Sequence, residues 1–407
     1  MIGAHSRCVQ LIALLAIGCA TFSIAPPVTA AAPYQTTLDR WRGAEGEFAG
    51  WTGRSFMVGA DGSLRLDPAT ARLGVDYFPP GRYLGLSFYN GDVYWTGEAD
   101  SPITETPFVF TEAIASWNAE TPPGTWVETL LRVRVGDRWS GWYNFGVWAS
   151  DTETVQRHSI RDQDDALGEV ATDTLSLKTG GATAYQIRVR LFTTSGAAPA
   201  LRTVALARST TPERPATLAP GNPDAWGRTL PVPECSQMVY PDGGEVWCSP
   251  TSTSMVIGYW ADDGGPCAPH VRAAVQGVYD PIYRGHGNWP FNTAYAGSMG
   301  DLEGYVARFG SLAEAEPWIA AGVPVIFSFA WGPGELANAP LASARGHLAV
   351  LVGFDASGNP IVNDPAGPSD TSVQRTYPRA QLETLWLDHS GGTVYLIHPR
   401  EWRVPAV

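Results

Sequence analysis

The 407-residue chain carries little charge, and little of that charge is basic. Charged residues make up 16% of the sequence, and 27 Lys and Arg stand against 40 Asp and Glu, giving a formal net charge of −13 at pH 7. A protein that binds nucleic acid or an anionic membrane needs a basic surface to neutralise phosphates. The shortage of basic residues therefore argues against both kinds of partner.

Motifs that would imply a cofactor are also missing. The sequence contains no P-loop and neither a C-x-x-C nor an H-x-x-x-H pair to supply zinc ligands. We therefore predict no metal centre and no other cofactor.

Long apolar runs are equally scarce. Outside residues 9–24, no run approaches the ~20 residues that a membrane-spanning helix needs, so we expect no membrane span in the rest of the chain.

The first 30 residues have the pattern of a secretory signal peptide. Arg7 supplies a basic start, residues 9–24 form a short apolar core, and small residues at 28–32 offer a cleavage site. This pattern predicts a secreted, extracellular protein. Lipid anchoring at Cys19 is a minor alternative, because Ala16 stands where a lipoprotein site needs a larger aliphatic residue.

Cysteine is rare, and removal of a signal peptide leaves only Cys235, Cys248 and Cys267. An odd number of cysteines in an exported protein indicates a free thiol or an intermolecular bridge. The simplest pairing joins Cys235 to Cys267 and leaves Cys248 free. The alternative pairs Cys235 with Cys248, and that bond would remove any thiol chemistry at Cys248.

Proline and glycine concentrate in residues 209–231, which read as a linker between two segments of different pattern. Upstream, residues 36–208 alternate apolar and polar residues at the period of a strand, as in 124–150, and turn residues recur often. This half is predicted to be an all-β accessory domain with a β-sandwich fold. Its many tryptophans either fill the core or form a platform that stacks on carbohydrate. The core role is favoured, because aromatic residues are the usual core material of sandwiches.

Residues 232–400 combine helical and strand patterns. Apolar residues recur at helical spacing in 249–262, 269–279 and 301–310, and Ser311 opens a short helix that ends at Gly322. Strand-like apolar runs follow at 323–331, 347–354, 360–363 and 393–399. Helices followed by a mainly antiparallel sheet predict an α+β domain.

Cys248 lies where a thiol would be activated. It directly precedes the predicted helix, and Pro250 stands in the first turn, where a missing N–H costs nothing. Unpaired N–H groups and the helix dipole at such an end favour a thiolate and lower the pKa of the thiol. We therefore expect Cys248 to be a nucleophile.

A thiolate that hydrolyses bonds needs a base and a group that orients the base. His347 opens an apolar strand, and the next strand returns antiparallel after a turn, which brings Asp364 near His347. Asn363 could take the same role, but strand alternation places only one of the two on the imidazole face. Gln237 and the backbone N–H of Cys248 are candidate donors for an oxyanion.

The order of these residues resembles the papain-like cysteine peptidases of the bacteriocin-processing (double-glycine leader peptidase) type, in a stand-alone exported form. That family typically shows a Gln, a Cys-Gly-Pro at a helix start, a Gly-His before an apolar strand and an Asn/Asp-Pro after the next strand. The similarity covers about residues 232–398. It implies that Gln237 is the oxyanion donor, Cys248 the nucleophile, His347 the base and acid, and Asp364 the orienter.

The resemblance also implies a substrate groove beside these residues. Its candidate lining residues are Trp247, Ser249, Asn288, Trp289 and Gly346. Ser249 departs from the glycine usual in the family and is expected to crowd the substrate backbone. The membrane and ATP-binding domains of an exporter are absent, so cleavage coupled to export is not implied.

The sequence thus predicts a multidomain protein, with an all-β sandwich ahead of an α+β papain-like cysteine peptidase domain. The first hypothesis is a secreted peptidase that acts on a peptide or protein. A second keeps the catalytic residues but directs them to peptidoglycan amide or stem-peptide bonds in cell-wall material. A third is a non-catalytic surface or glycan-binding protein with a degenerate peptidase fold. The oligomeric state stays open.

Overall fold

Alternating apolar residues in the first half of the chain form strands in the computed structural model. The structure describes residues 34–76, 89, 93–211, 218–262 and 264–406. The predicted signal peptide and Cys19 lie outside these residues. The strands of the first half are β1 (Thr36–Arg42), β2 (Thr52–Arg54), β3 (Phe56–Val58), β4 (Leu64–Leu66), β5 (Arg72–Val75), β6 (Val93–Asp100), β7 (Thr104–Phe110), β8 (Glu112–Glu120), β9 (Thr125–Val135), β10 (Arg138–Trp139), β11 (Tyr143–Trp148), β12 (Gly168–Ala171), β13 (Thr174–Leu177), β14 (Ala182–Thr193) and β15 (Ala200–Ser209).

These strands pair antiparallel in two sheets. One sheet has the order β12-β13-β8-β15-β4-β3, with β1 also on β15. The other has the order β10-β9-β14-β6-β2, with β11 on β9, β5 on β6 and β7 on β14. Gly136 adopts a positive φ of 58° in the turn that joins β9 to β10, a conformation that glycine accepts without strain. The β-rich N-terminal region predicted from the sequence is confirmed.

One apolar core joins the two sheets. Val127 and Leu131 of β9 and Ile187 of β14 share it with Val204 and Leu206 of β15, all of them almost fully buried. Four of the eight tryptophans of this half are buried, three are half-buried, and Trp95 is 41% exposed; the buried ones are Trp51, Trp117, Trp126 and Trp148.

The second half of the chain adds helices and a third sheet. Its helices are α1 (Cys248–Ala261), α2 (Cys267–Val278), α3 (Trp289–Gly297), α4 (Leu312–Ala320) and α5 (Arg379–Ser390). Its strands are β16 (Arg228–Thr229), β17 (Leu302–Arg308), β18 (Val325–Trp331), β19 (Ala344–Phe354), β20 (Pro360–Asn363), β21 (Gln374–Thr376) and β22 (Thr393–Pro399). The antiparallel sheet has the order β17-β22-β18-β19-β20-β21, with β16 on β19. Short 3-10 helices lie at Gly43–Glu45, Pro223–Ala225, Gln237–Val239, Gly244–Val246 and Asp370–Ser372.

The helix predicted at 301–310 is wrong, because this segment is strand β17. Its apolar residues fit helical spacing, but every residue of β17 is buried, as in a strand covered on both faces. Gly304 allows helix α3 to pack closely on one face of this strand. A Cβ at this position would lie 2.5 Å from the carbonyl oxygen of Thr293, so helix α3 approaches the strand backbone directly.

Residues 218–231, within the predicted linker, pack against the second half. Trp226 donates its indole N–H to Glu316 of α4 at 2.8 Å, and Leu230 is buried. The backbone N–H of Asn222 bonds the other carboxylate oxygen of Glu316 at 2.5 Å. These contacts fix the path of the chain into the sheet through β16.

The two halves are joined by buried polar contacts and by shared apolar packing. Asn118 of β8 donates to the carbonyl of Gly304 at 2.8 Å and accepts from its N–H at 3.1 Å. Phe291 of α3 packs in the core of the β-rich half, with its ring 5.5 Å from that of Trp148. The described residues of both halves accordingly belong to one compact unit.

The structure pairs Cys235 with Cys267 and leaves Cys248 as a free thiol, in agreement with the simpler of the two pairings considered. The bond closes a loop with a sequence separation of 32 residues between the end of the linker and α2. No helix among the described residues is long and apolar enough to cross a membrane.

Reduction of this disulfide is expected to lower the free energy of unfolding by about 3–4 kcal/mol, because the open loop restores entropy to the unfolded chain. Denaturant unfolding of Cys248→Ala with and without a phosphine reductant measures the change, and this background prevents thiol exchange. Equal stability in both conditions would contradict the expectation.

Candidate active site

Cys248 is the first residue of α1. The residue that precedes the helix, Trp247, makes no side-chain cap, so the first N–H groups of the helix are not satisfied by a capping side chain. Cys248 as a residue is half-buried. Its sulfur therefore lies at the positive end of a helix dipole.

His347 lies on β19, opposite Phe329 of β18. Its ring makes edge contacts with Phe329 and Trp331, each at 5.5 Å between centroids, and the residue is 3% exposed. Asp364 directly follows β20, and the hairpin between the strands brings it back to His347. The Nε2 atom of His347 lies 2.7 Å from Oδ1 of Asp364. This bond leaves Nδ1 as the nitrogen available to the thiol.

Asp364 is completely buried and held by two further donors. The hydroxyl of Tyr377 donates to Oδ2 at 2.6 Å, and the backbone N–H of Ala366 donates to Oδ1 at 2.9 Å. Sequence reasoning missed Tyr377, because it comes after strand β21 and no local motif links it to Asp364. Asn363 turns away and donates to the carbonyl of Val232 at 3.1 Å.

The electrostatics of these groups favour a charged pair. Burial would raise the pKa of the Cys248 thiol, but a hydrogen bond with His347, the charge of His347 and backbone N–H groups lower it below its ordinary value. Burial would lower the pKa of His347, but Asp364 and Cys248 together raise it to about 10. The pKa of Asp364 is lowered against the effect of burial, chiefly by His347. All three shifts favour the charged forms of these groups, a thiolate beside an imidazolium and a carboxylate.

Gln237 is 2% exposed and lies in a 3-10 helix. This helix contacts the segment around Asp364 and the segment that leads into Cys248. Its backbone N–H donates to the carbonyl of Pro365 at 2.8 Å, next to Asp364. Its carbonyl lies against Gly244, where a Cβ would come within 2.0 Å of it, and Gly244 starts the 3-10 helix that leads into Trp247. The side-chain Oε1 is buried and makes no hydrogen bond to the described residues.

The residues predicted to line a groove lie in different environments. Ser249 is 1% exposed, and its hydroxyl hydrogen-bonds that of Tyr395 at 2.9 Å, so its side chain faces the interior. Asn288 is fully buried and caps α3. Trp247 is buried, with its ring 6.2 Å from that of His286, whereas Trp289 is half-buried and Gly346 is exposed.

Two buried carboxylates connect the β-rich half to residues 280–289, the segment that leads into α3. Asp280 accepts from the backbone N–H of Ser159 at 3.1 Å and from the side chain of Asn288 at 3.1 Å. Asp173 accepts from the backbone N–H of Trp289 at 2.8 Å. Both contacts fasten the start of α3, and sequence reasoning missed them because they join distant segments.

Burial raises the pKa of Asp173 to about 7, from about 3.9 in an unfolded chain. Between these values the folded protein keeps a proton that the unfolded chain loses, so stability falls as pH rises from ~4 to ~7. Asp173→Asn can retain the bond to Trp289 but does not ionise. We therefore expect the unfolding temperature of the variant, measured by calorimetry, to fall less between pH 4.5 and pH 8 than that of the wild type. The same fall in both proteins would contradict this expectation.

Among the described residues, no group of three or more His, Cys, Asp or Glu is placed to hold a metal ion. The polar groups gathered here are instead those of nucleophilic catalysis: a thiol, an imidazole and a carboxylate in sequence. Their arrangement can activate the sulfur as a nucleophile.

One similar solved structure is described as a C39-like peptidase from Bacillus anthracis. The alignment covers 44% of this chain and 98% of that protein, with 16% identity and a TM-score of 0.31. Carbohydrate-binding modules of the β-sandwich superfamily match at 14% identity, covering 45% of this chain and 63% of theirs, with a TM-score of 0.19. Modules of an endo-1,4-β-D-xylanase 10B from Clostridium thermocellum match at 14% identity and a TM-score of 0.17. This alignment covers 46% of this chain and 31% of the xylanase chain. None of these likenesses is close enough to assign a ligand or an activity.

Two family models match the chain, one after the other. The peptidase C39 N-terminal domain matches residues 37–209, and the peptidase C39-like family matches residues 229–394. No curated protein matches. The resemblance to papain-like peptidases of the bacteriocin-processing type is confirmed by these matches. The chain is a member of the C39-like peptidase family, with the N-terminal domain of that family ahead of its peptidase-like domain.

Proposed function

We propose that the protein is a secreted cysteine peptidase that hydrolyses peptide bonds through a thioester on Cys248. The observation that carries the proposal is the 2.7 Å bond between Nε2 of His347 and Oδ1 of Asp364, together with a free thiol at the start of α1 whose pKa His347 lowers. His347 acts as acid and base, and Asp364 holds its ring and stabilises its positive charge.

In the acylation step, the sulfur of Cys248 attacks the carbonyl carbon of the peptide bond. Negative charge develops on the carbonyl oxygen, and the backbone N–H of Cys248 and the side-chain amide of Gln237 are its proposed donors. His347 then gives the proton on Nδ1 to the leaving nitrogen. The C–N bond breaks, the amine departs, and a thioester remains.

In the deacylation step, neutral His347 takes a proton from water as the water oxygen attacks the thioester carbon. The C–S bond breaks and returns the thiolate, and the acid product leaves. Asp364 lowers the free energy of the imidazolium in both steps, because its buried carboxylate is held by Tyr377 and Ala366 and does not need to reorient.

Secretion is supported by the signal-like pattern of residues 1–30 and by the disulfide between Cys235 and Cys267. Disulfides persist in oxidising compartments, so this bond is compatible with an extracellular protein. A peptide substrate is supported by the family to which the chain belongs.

Incubation of the mature protein with reduced casein in water enriched in oxygen-18 tests this function. We expect new peptides with one oxygen-18 atom in each new carboxyl end, and none after prior alkylation of Cys248 with iodoacetamide. Cleavage that survives alkylation, or an absence of cleavage of casein and of peptide libraries, would contradict the proposal.

A further inference from the structure

A groove of about 620 Å³ lies beside the candidate active site, between the end of β18 and helix α5. Trp331, Glu335 and Ala344 line one side. Residues of α5 line the other, including Leu385 and Asp388. The mechanism described above uses none of these side chains.

The groove adjoins His347 rather than Cys248. Trp331 forms part of its wall and also makes the edge contact with the imidazole at 5.5 Å. His389, another lining residue, lies 3.6 Å from the position of a Cβ on Gly346, the neighbour of His347. None of the lining residues belongs to α1 or to the 3-10 helix Gln237–Val239.

This position fixes which part of a substrate can reach the groove. The acid that protonates a leaving amine must lie on the side where the amine departs. Nε2 of His347 is engaged by Asp364, so Nδ1 delivers that proton. A peptide that extends from the leaving nitrogen past His347 therefore meets Trp331 and the groove, whereas its acyl part lies toward Cys248 and Gln237.

The chemistry of the lining favours a long basic side chain. The half-buried Ala344 and Leu385 supply apolar surface for a methylene stem. Glu335 supplies a carboxylate for a charged head, and so does Asp388, which also interacts with a group within the protein. Glu335 is exposed and accepts from the backbone N–H of Gly332 at 2.6 Å. The described lining residues include no Lys or Arg.

We infer that this groove binds the portion of a peptide substrate that follows the cleaved bond and selects a lysine or arginine there; the inference rests on the proposed function. Selection follows from apolar contact with the stem and from attraction between its cationic head and the two carboxylates. Because both carboxylates are open to solvent, the preference is modest and weakens in salt.

Binding to the inactive Cys248→Ala protein tests the groove without catalysis. The probes are the tetrapeptide amides Ala-Lys-Ala-Ala and Ala-Gln-Ala-Ala, which mimic a released amine product, measured by isothermal titration. We expect the lysine peptide to bind about 3- to 10-fold more tightly at low salt. Glu335→Gln with Asp388→Asn should bring the ratio close to one, and the exposed Glu401→Gln, which lies outside the groove lining, should leave it unchanged.

Hydrolysis by the active protein supplies the second arm, with substrates that share one acyl part and differ only after the cleaved bond. We expect the same preference in kcat/KM, and its loss in the double variant. A ratio near one in both arms, or a preference that the double variant keeps, overturns the inference while leaving the proposed function intact. Preserved, carboxylate-dependent binding without any hydrolysis instead overturns the proposed function and retains the groove as a site for basic peptides.

Discussion

Replacing Cys248 by alanine is expected to lower kcat/KM for peptide hydrolysis by about 10⁴-fold or more. In the proposed mechanism the sulfur is the protein atom that forms a covalent bond with the substrate, and alanine offers no nucleophile in its place. The residual rate would reflect binding and the oxyanion donors alone. The measurement is the steady-state hydrolysis of a cleavable peptide found in the casein digest.

Cys248→Ser is the matched variant, because a hydroxyl has nearly the shape of the thiol and can bond His347. We expect a loss of similar size, since serine ionises far less readily and this site is arranged for a thiolate. Both variants should keep the unfolding midpoint of the wild type within a few degrees. Retention of more than a tenth of the activity by the alanine variant would assign the nucleophile elsewhere.

Replacing Asp364 by alanine is expected to lower kcat/KM by about 10²- to 10⁴-fold. The change removes the carboxylate that orients His347 and stabilises its positive charge, and it leaves Tyr377 without its acceptor. It also opens a cavity at a fully buried position, so the free energy of unfolding should fall. Kinetics and denaturant unfolding must be measured on the same preparation.

Asp364→Asn separates charge from shape. An amide oxygen at Oδ1 can still accept from His347 and Ala366, so the fold and the ring orientation are retained. Loss of the negative charge lowers the pKa of His347, and the alkaline limit of activity should therefore move to lower pH. Tyr377→Phe keeps the charge and is expected to change kcat/KM only a few-fold. An alkaline limit that stays in place in Asp364→Asn would contradict the role given to the carboxylate.

The hairpin that joins His347 to Asp364 could be predicted from the sequence because its geometry is local. Strand alternation and a short turn decide which residues face each other, and one polar residue after the second strand is enough to name a candidate. The start of α1 at Cys248 follows similarly from Pro250 and the apolar spacing beyond it. Such signals act over a few residues and need no knowledge of packing.

Contacts between distant segments could not be predicted in this way. Tyr377 reaches Asp364 from beyond β21, and Asp173 reaches Trp289 from the β-rich half. Strand β17 resembles a helix in sequence because burial on both faces removes the alternation that identifies a strand. The family resemblance places Ser249 in the groove, whereas a hydrogen bond to Tyr395 turns it inward.

The β-rich half contributes to the environment of the site through packing. Phe291 of α3 inserts into its core, and Asp173 and Asp280 fasten the loop and the helix start that lie beside Trp247. His286 in that loop meets the ring of Trp247, the residue before Cys248. The N-terminal domain therefore helps to hold the segment that leads into helix α1.

The rate of alkylation of Cys248 by iodoacetamide between pH 5 and pH 9, compared in wild type and His347→Ala, tests the central claim most directly. The modified residue is identified by mass spectrometry, and Cys248→Ala supplies the blank. If His347 holds the sulfur as a thiolate, the wild type reacts rapidly at pH 6, and the variant reacts slowly until pH approaches the ~8.5 of an ordinary thiol. Identical pH profiles in the two proteins, with half-reaction near pH ~8.5, would show that His347 does not activate Cys248.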